Sequence, residues 1–401
     1  MISKWTLMRA ADFIDFNPRL SIKKGTMATK IAMDKIQPYT KKILDTEKAI
    51  FTGGSKFCNG DTIMARITPC LENGKTAFVD VLDDNEVAFG STEFIVLRAK
   101  DGISDPQFIY YLAISPFFRN VAIKSMVGSD GRQRVQQGVL NELEICVPSL
   151  EEQKKIGALL ASLDQKIAVN NEINNNLHQQ YIAIVDQVLC ELKEYEIKPL
   201  SAVADCQNGR AFYKEGYSDN GAFVIDLGNV NTSGNFVFTN ADKYVSMSRY
   251  YDVKLEPYRV YKNDLVMVMT DRKSTMELLG KVGKIYKSGH YLLNQRMYRI
   301  RAKNGINTNY LYAYLNSTEV CNALKQKALG SVQKYVNTGD INNIEVKVPS
   351  RTKMEEISAV LDPIFLQMET NILQNEFLTE LRDLLIPKLI SGDIDVSSIQ
   401  L

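Results

Sequence analysis

The fold class expected for this 401-residue chain is α+β: two globular parts, each followed by a long amphipathic helix, written as an internal repeat. Three observations lead there. The first is an echo of the first half of the chain in the second. The second is apolar periodicity at 3–4 spacing, sustained over some forty residues in two places. The third is a set of short apolar runs broken by Gly, Asn and Asp clusters everywhere else.

The repeat is read directly. "RAKDGISDPQFIYYL" at residues 98–112 matches "RAKNGINTNYLYAYL" at 301–315, a shift of 203 that takes Arg98 to Arg301 and Tyr111 to Tyr314. "GDTIMARITPCLENGKTAFV" around Asp61 echoes "NDLVMVMTDRKSTMELLGKVGKI" around Asp264, again 203 apart. "GSDGRQRV" at Gly128 answers "GSVQKYV" at Gly330, shifted by 202, and "VPS" at Val147 returns at Val348, shifted by 201. A nearly constant shift over half a chain means two copies of one unit.

In the globular parts, "TAFVDVL", "EFIVLRA", "LVMVM" and "RMYRIRA" read as strands. "PQFIYYLAISPFFRNVAI" and "NYLYAYLNSTEVCNALKQKAL" read as short helix pairs. The first long helix is expected from Glu151 to Leu192. Leu160, Ile167, Tyr181 and Val188 form one seam; Ile156, Leu163, Leu177 and Ile184 form its partner. Adding 201 gives Leu361, Met368 and Leu389 with Ile357, Ile364, Leu378 and Leu385. In the second copy Asp362 is a good N-cap and Pro363 suits a first helical position, so the long helix is expected to begin there and to end at Pro387 and Gly392.

Asparagine interrupts both seams: Asn170 and Asn174 in one, Asn371 and Asn375 in the other. In an antiparallel pair with near two-fold symmetry, Asn170 faces Asn375 and Asn174 faces Asn371. Such a polar layer would fix helix register. The expected division is a lobe over 1–150, a helix over 151–195, a lobe over 196–350, a helix over 351–392 and a tail over 393–401.

Composition narrows the class. With 45% hydrophobic and 24% charged residues the chain is that of a soluble globular protein. No apolar run approaches the roughly 20 residues that span a bilayer. Acidic residues in "MISKWTLMRAADFIDF" occupy the place of a signal peptide's apolar core. A cytoplasmic protein with no membrane partner is expected. Six scattered cysteines form no CxxC, which speaks against disulfide frameworks and zinc sites. Charge is uneven: the net is +2 over 1–150 and +7 over 196–350, but −3 over 151–195 and −5 over 351–401. Basic lobes suit a polyanion.

Catalytic signatures are missing. There is no GxxxxGK[ST], no GxGxxG and no NPPY-type motif. His178 and His290 stand apart without ligand-like neighbours, so no metal or catalytic residue is assigned. Asp340 with Glu345 and Lys347 forms a loose Asp…ExK pattern, but the first copy has Glu144-Ile145-Cys146 there, without the lysine.

A binding constellation remains. The loop after Asp61 carries Arg66, Thr68, Asn73 and Lys75; its counterpart carries Asp271, Arg272, Lys273, Ser274 and Thr275. Ser91, Thr92 and Glu93 answer to Asn294, Gln295 and Arg296. Ser129, Arg132, Gln133 and Arg134 answer to Ser331, Gln333 and Lys334. Such side chains on loops suit phosphates and base edges. The framing residues match between copies while the loop residues differ, as in one scaffold with two readers; drift of surface loops leaves the same trace.

On "VPSLEEQKKIGALLASLDQKI", "LRDLLIPKLISGDI" and "GDTIMARITPCLENGK", and on the order lobe, junction, helix, lobe, junction, helix, the whole chain resembles the DNA-specificity subunit of type I restriction–modification enzymes. The resemblance implies two target-recognition domains joined by two long antiparallel coiled-coil helices. Each lobe would read one half of a bipartite double-stranded DNA target. The helices would dock two methyltransferase subunits, and restriction subunits would complete a phage-defence complex. S-adenosylmethionine, ATP and magnesium would belong to those partners, with no cofactor and no catalysis in this chain. Some forty helical residues span about 60 Å, which would hold the lobes one to two DNA turns apart. Two other readings remain at this level: a self-sufficient nuclease (through Asp340, Glu345 and Lys347) or methyltransferase fragment, and a coiled-coil DNA scaffold without specificity.

Overall fold

In the first lobe the buried runs become the two central strands of a sheet. Thr62–Ala65 and Phe94–Ala99 pair antiparallel, with Thr62 opposite Leu97 and Ala65 opposite Phe94. Both are buried on both faces over most of their length, so they read as continuous apolar runs rather than as alternation. Ile14–Phe16 and Thr76–Phe78 flank them to complete an antiparallel sheet of four. A second sheet has the order Glu47–Ile50, Met27–Ile31, Ala88–Gly90, Lys56–Phe57, with Met27–Ile31 and Ala88–Gly90 running parallel. The computed structural model describes residues 5–129, 131–213, 216–239, 242–272, 275–331 and 333–396.

The helix pair follows from its caps. Asp105 and Ser115 accept hydrogen bonds from Phe108 N and Phe118 N, and proline occupies the first turn of each helix, Pro106–Ile114 and Pro116–Lys124. Phe108, Tyr111 and Leu112 then join Met64, Ile95 and Leu97 in one core.

The second lobe repeats this plan strand for strand. One sheet runs Ala204–Asn208, Met297–Ala302, Leu265–Val268, Val282–Lys284, all antiparallel. The other runs Lys243–Val245, Ala222–Ile225, Tyr291–Leu293, Arg259–Val260, with the middle pair again parallel. Helices Thr308–Asn316 and Thr318–Gln326 are capped by Asn307 and Ser317.

Each lobe closes by pairing its first strand with its last: Thr6–Arg9 with Glu144–Val147, and Tyr195–Pro199 with Glu345–Pro349. The repeated "VPS" is where that last strand hands over to a helix. Ser149 and Glu152 form a capping box, with Glu152 N donating to Ser149 Oγ at 3.3 Å and Ser149 N donating to Glu152 Oε2 at 3.1 Å. In the second copy Ser350 accepts from Lys353 N at 3.3 Å, and the glutamate half of the box is absent.

The helices span Leu150–Glu191 and Arg351–Ser391. This corrects three expectations. The second helix does not begin at Asp362; it runs through Pro363. Pro387 is likewise internal and not a stop. Each proline removes one N–H and leaves the carbonyl four residues earlier, on Ala359 or Asp383, without its helical donor. Both residues are exposed, so water can take that place. Gly392, at φ +82°, does end the helix, and a Cβ there would lie 3.2 Å from the Trp5 ring. Nor do the residues after it form a separate tail: Val396 is buried in the core of the first lobe. The residues beyond 396 lie outside the described ones.

The chain forms two compact units, residues 1–170 with 373–401 and residues 171–372. Each unit therefore holds a lobe and half of each helix, so the helices are not a domain of their own. Within the first unit Arg382 donates to Asp164 at 2.6 Å, and Asn170 Nδ2 donates to Asn375 Oδ1 at 2.8 Å. Within the second, Asn371 Nδ2 donates to Asn174 Oδ1 at 2.8 Å, and the Tyr181 and Phe365 rings stack with centroids 4.8 Å apart. In each pairing one number rises as the other falls, so the helix halves run antiparallel in both units. Asn170 thus meets Asn375 and Asn174 meets Asn371, the pairing expected of an antiparallel pair with near two-fold symmetry.

The repeat shift of 201 takes Asp164 to Phe365 and Tyr181 to Arg382. One unit thus has an ion pair where the other has an aromatic pair. Asp164 and Arg382 are 11% and 8% exposed, and the Tyr111 hydroxyl donates to the same carboxylate at 2.5 Å. Burial and Asp164 together hold the Tyr111 phenol well above its ordinary value. Removing Arg382 strands a buried carboxylate, so Arg382→Ala is expected to destabilise the chain by roughly 3–5 kcal/mol. The double change Asp164→Phe with Arg382→Tyr, which copies the other unit, is expected to recover most of that loss. Urea unfolding midpoints of the three proteins check both statements; a double variant no more stable than Arg382→Ala would refute the equivalence.

Candidate nucleic-acid interface

The three loop groups singled out in the first lobe meet at one end of its central strands. Beyond the pairing of Ala65 with Phe94, Arg66 N donates to Glu93 O at 2.9 Å, and Val135 N donates to Arg66 O at 2.9 Å. Thr68 N donates to Gln133 O at 3.1 Å. Residues 66–68, 91–93 and 132–135 are thereby held side by side by main-chain bonds, whatever side chains they carry.

The second lobe builds the same frame. Met269 N donates to Arg296 O at 2.9 Å and Val336 N to Met269 O at 3.0 Å, while Thr270 lies opposite Tyr335 and Asp271 opposite Lys334. The third loop turns at a glycine in both lobes. Gly128 (φ +145°) and Gly330 (φ +94°) would place a Cβ 2.8 Å from Arg132 O and 2.1 Å from Gln333 O. Any other residue would push the loop off its frame.

Side chains on this frame differ in kind. In the first lobe Arg134 forks onto Glu93, with Nε at 3.0 Å and Nη2 at 2.7 Å from the carboxylate. That bond raises the guanidinium above its usual value. At the matching places the second lobe has Tyr335 and Arg296. Lys75 is turned away from the loop group, its ammonium on Met33 O at 2.9 Å. Arg66 is half-buried, with Nη2 on Val135 O at 3.3 Å. Thr68, Ser91 and Gln133 are half-buried; Asn73, Thr92, Ser129 and Arg132 are exposed.

In the second lobe Arg272, Gln295, Arg296 and Ser331 are exposed, and Gln333 and Lys334 are half-buried. Asn294 is buried, and its Oδ1 accepts from Gln295 N at 2.9 Å. Asp271 is buried and accepts from Leu278 N at 2.8 Å, which closes the loop between them. Lys273 and Ser274 lie outside the described residues.

A cleft of about 860 Å³ opens beside this frame, lined by Thr270, Asp271, Arg272, Asn294, Gln295 and Arg296 together with Phe212, Tyr217, Asp226 and Lys243. Lys243 donates to Asp226 at 2.7 Å. Burial pushes the Asp226 carboxyl up, but Lys243 and Leu227 N outweigh it and hold the group below its ordinary value. Phe212, Tyr217 and Lys243 are additional to the loop residues expected from the sequence. The signal was the basic and aromatic run "GRAFYKEGY", pinned where Arg210 N donates to Leu293 O at 3.1 Å.

Of the Asp…ExK pattern, Lys347 donates to Glu319 at 3.3 Å and Glu345 is exposed on its strand. Among the described residues no group of three His, Cys, Asp or Glu side chains is placed to hold a metal ion. His178 bonds Ser233 O, and His290 packs against the Tyr250 ring. Among the described residues no helix is long and apolar enough to cross a membrane.

Residues 3–179 and 192–376 each match the family described as "Type I restriction modification DNA specificity domain", and the chain belongs to it. It is 25% identical to the type I restriction enzyme HindI specificity subunit of Haemophilus influenzae, over 84% of this chain and 86% of that one. It is 23% identical to the MjaVIII specificity subunit of Methanocaldococcus jannaschii, over 98% and 94%. The fold is shared with the crystal structure of a type I restriction-modification system S subunit from M. genitalium, at 16% identity, 96% coverage of both chains and a TM-score of 0.50.

Proposed function

We propose that this chain is the specificity subunit of a type I restriction–modification complex, each lobe reading one half of a bipartite duplex DNA target. The observation that carries this is the frame written twice with unlike side chains: Glu93 and Arg134 on one copy, Arg296 and Tyr335 on the other. Main-chain bonds hold the loops, so the side chains are free to differ with the sequence read. The chain itself performs no catalysis. S-adenosylmethionine would be held by methyltransferase subunits, and ATP with magnesium by restriction subunits.

The second long helix offers a place for the methyltransferase. Leu373, Phe377 and Leu384 are 40%, 62% and 57% exposed and recur at heptad-like spacing. A stripe of this kind on a net-acidic helix suits an amphipathic partner helix with a basic rim. The paired asparagines would set the register of the helices, because a slip would leave an amide without its partner.

The central test is selection from a randomised duplex pool, using the full chain with its methyltransferase. A bipartite motif is expected. Exchanging residues 1–150 for the first lobe of a relative should change one half of it and leave the other; a change in both halves would show that the lobes do not read independently. The double change Leu373→Glu with Phe377→Glu is expected to reduce co-purification of the methyltransferase at least tenfold. Thermal stability should move little, as for other exposed sites, and undiminished co-purification would remove the stripe from the docking surface. Asn170→Leu with Asn375→Leu is expected to keep thermal stability while admitting targets with altered spacers. If the variant selects only the original spacer, the asparagines do not set register.

A further inference from the structure

Several cations on or beside the loop frames are already engaged. Arg134 is on Glu93, Lys75 on Met33 O, and Lys243 on Asp226. Arg296 and Arg272 differ: among the described residues neither guanidinium has a hydrogen bond or an ion pair. Both line the cleft of the second lobe, as Gln295 does.

The backbone at Arg296 is also unlike its counterpart. Arg296 sits at φ +71°, which Glu93 does not share. A non-glycine residue in this region costs of the order of 1 kcal/mol, and such positions persist when the surroundings enforce them. Here they do. Gln295 N is held by Asn294 Oδ1 at 2.9 Å, Met297 N by Asn294 O at 3.3 Å, and Arg296 O by Met269 N at 2.9 Å. The buried Asn294 thus pins a turn that aims one free guanidinium from a fixed base. A phosphate contact does not call for such a base, since a flexible arm on the surface suffices. Reading a base edge does, because the two N–H groups of the fork must meet two acceptors at once.

We infer that the second lobe reads a guanine in its half-site through Arg296, bidentate to O6 and N7, with Arg272 as an auxiliary cation of the same cleft. The inference rests on the proposed role of the lobe as a half-site reader, and its test separates the two. The pool selected by the full chain with its methyltransferase is expected to contain an invariant G·C pair in the half that survives exchange of residues 1–150. Replacing that guanine by 7-deazaguanine, which lacks the N7 acceptor, should weaken binding roughly 5- to 150-fold.

Arg296→Gly suits the backbone of the turn, and Arg296→Lys keeps the charge without the fork. Both are expected to lose preference at that one pair and to become insensitive to 7-deazaguanine, with the other half-site unchanged. If Arg296→Gly keeps the preference, or weakens all sequences alike while the salt slope falls by about one, Arg296 contacts phosphate and the inference is overturned. It is also overturned if only Arg272→Ala relaxes the pair. A wild-type pool with no bipartite motif would instead overturn the half-site reading beneath it.

Discussion

A buried carboxylate takes the same bidentate grip in both lobes. Arg98 Nε and Nη2 each donate to Asp61 at 2.7 Å, and Arg301 donates to Asp264 at 2.6 and 2.7 Å. Asp61 and Asp264 are 1% and 2% exposed, and each also accepts an N–H from its own turn, from Cys58 and from Tyr261. The pair joins the two central strands at one end of their ladder. The loops at 66–68 and 91–93, or at 269–271 and 294–296, leave from the other end. A slip of one residue would turn every side chain on these strands to the opposite face. It would also separate two charges that burial makes costly to leave unpaired. Register fixed at the ion pair is therefore register delivered at the loops.

What the ion pair fixes is the course of the central strands, and above it the two copies diverge in their side chains and in the turn at Arg296. Glu93 with Arg134 on one frame becomes Arg296 with Tyr335 on the other. The helix pairing shows the same pattern, with Asp164 and Arg382 in one unit and Phe365 and Tyr181 in the other. Both solutions fill one inter-helix site, and neither disturbs the antiparallel course. A buried ion pair and a well-packed apolar pair are often close in stability, which explains how one repeat tolerates both.

Much of this was legible in the sequence because the repeat made positions commensurate. The central strands, the helix pairs and the seam from Ile156 to Leu389 follow from local pattern. The pairing of Asn170 with Asn375 follows from the antiparallel arithmetic alone. The sequence was silent where the deciding group is distant or is water. Pro363 and Pro387 read as boundaries, yet each stands inside a helix, where the residue four before it, Ala359 or Asp383, is exposed and water can take the place of the missing donor. The parallel pairing of Met27–Ile31 with Ala88–Gly90 bridges some sixty residues with no local signal. Lys75 and Arg134 stand on two different loops of the binding constellation expected from the sequence; Met33 O and Glu93 engage them, and no spacing rule announces either contact. The aromatic run at Phe212 and Tyr217 was passed over because it has no counterpart in the first copy.

The division between a buried frame and exposed readers has an energetic consequence. Asp61, Arg98, Phe94 and their counterparts are costly to change, since each loss leaves a cavity or an unpaired charge. Thr92, Arg132 and Gln295 are exposed and bear on stability by a few tenths of a kcal/mol at most, as surface positions generally do. Loop side chains can then change one at a time while the fold keeps nearly all of its stability. Arg296 marks the limit of that freedom. Its turn is held by the buried Asn294, so the direction in which residue 296 points belongs to the frame, and only the chemistry at its tip belongs to the reader.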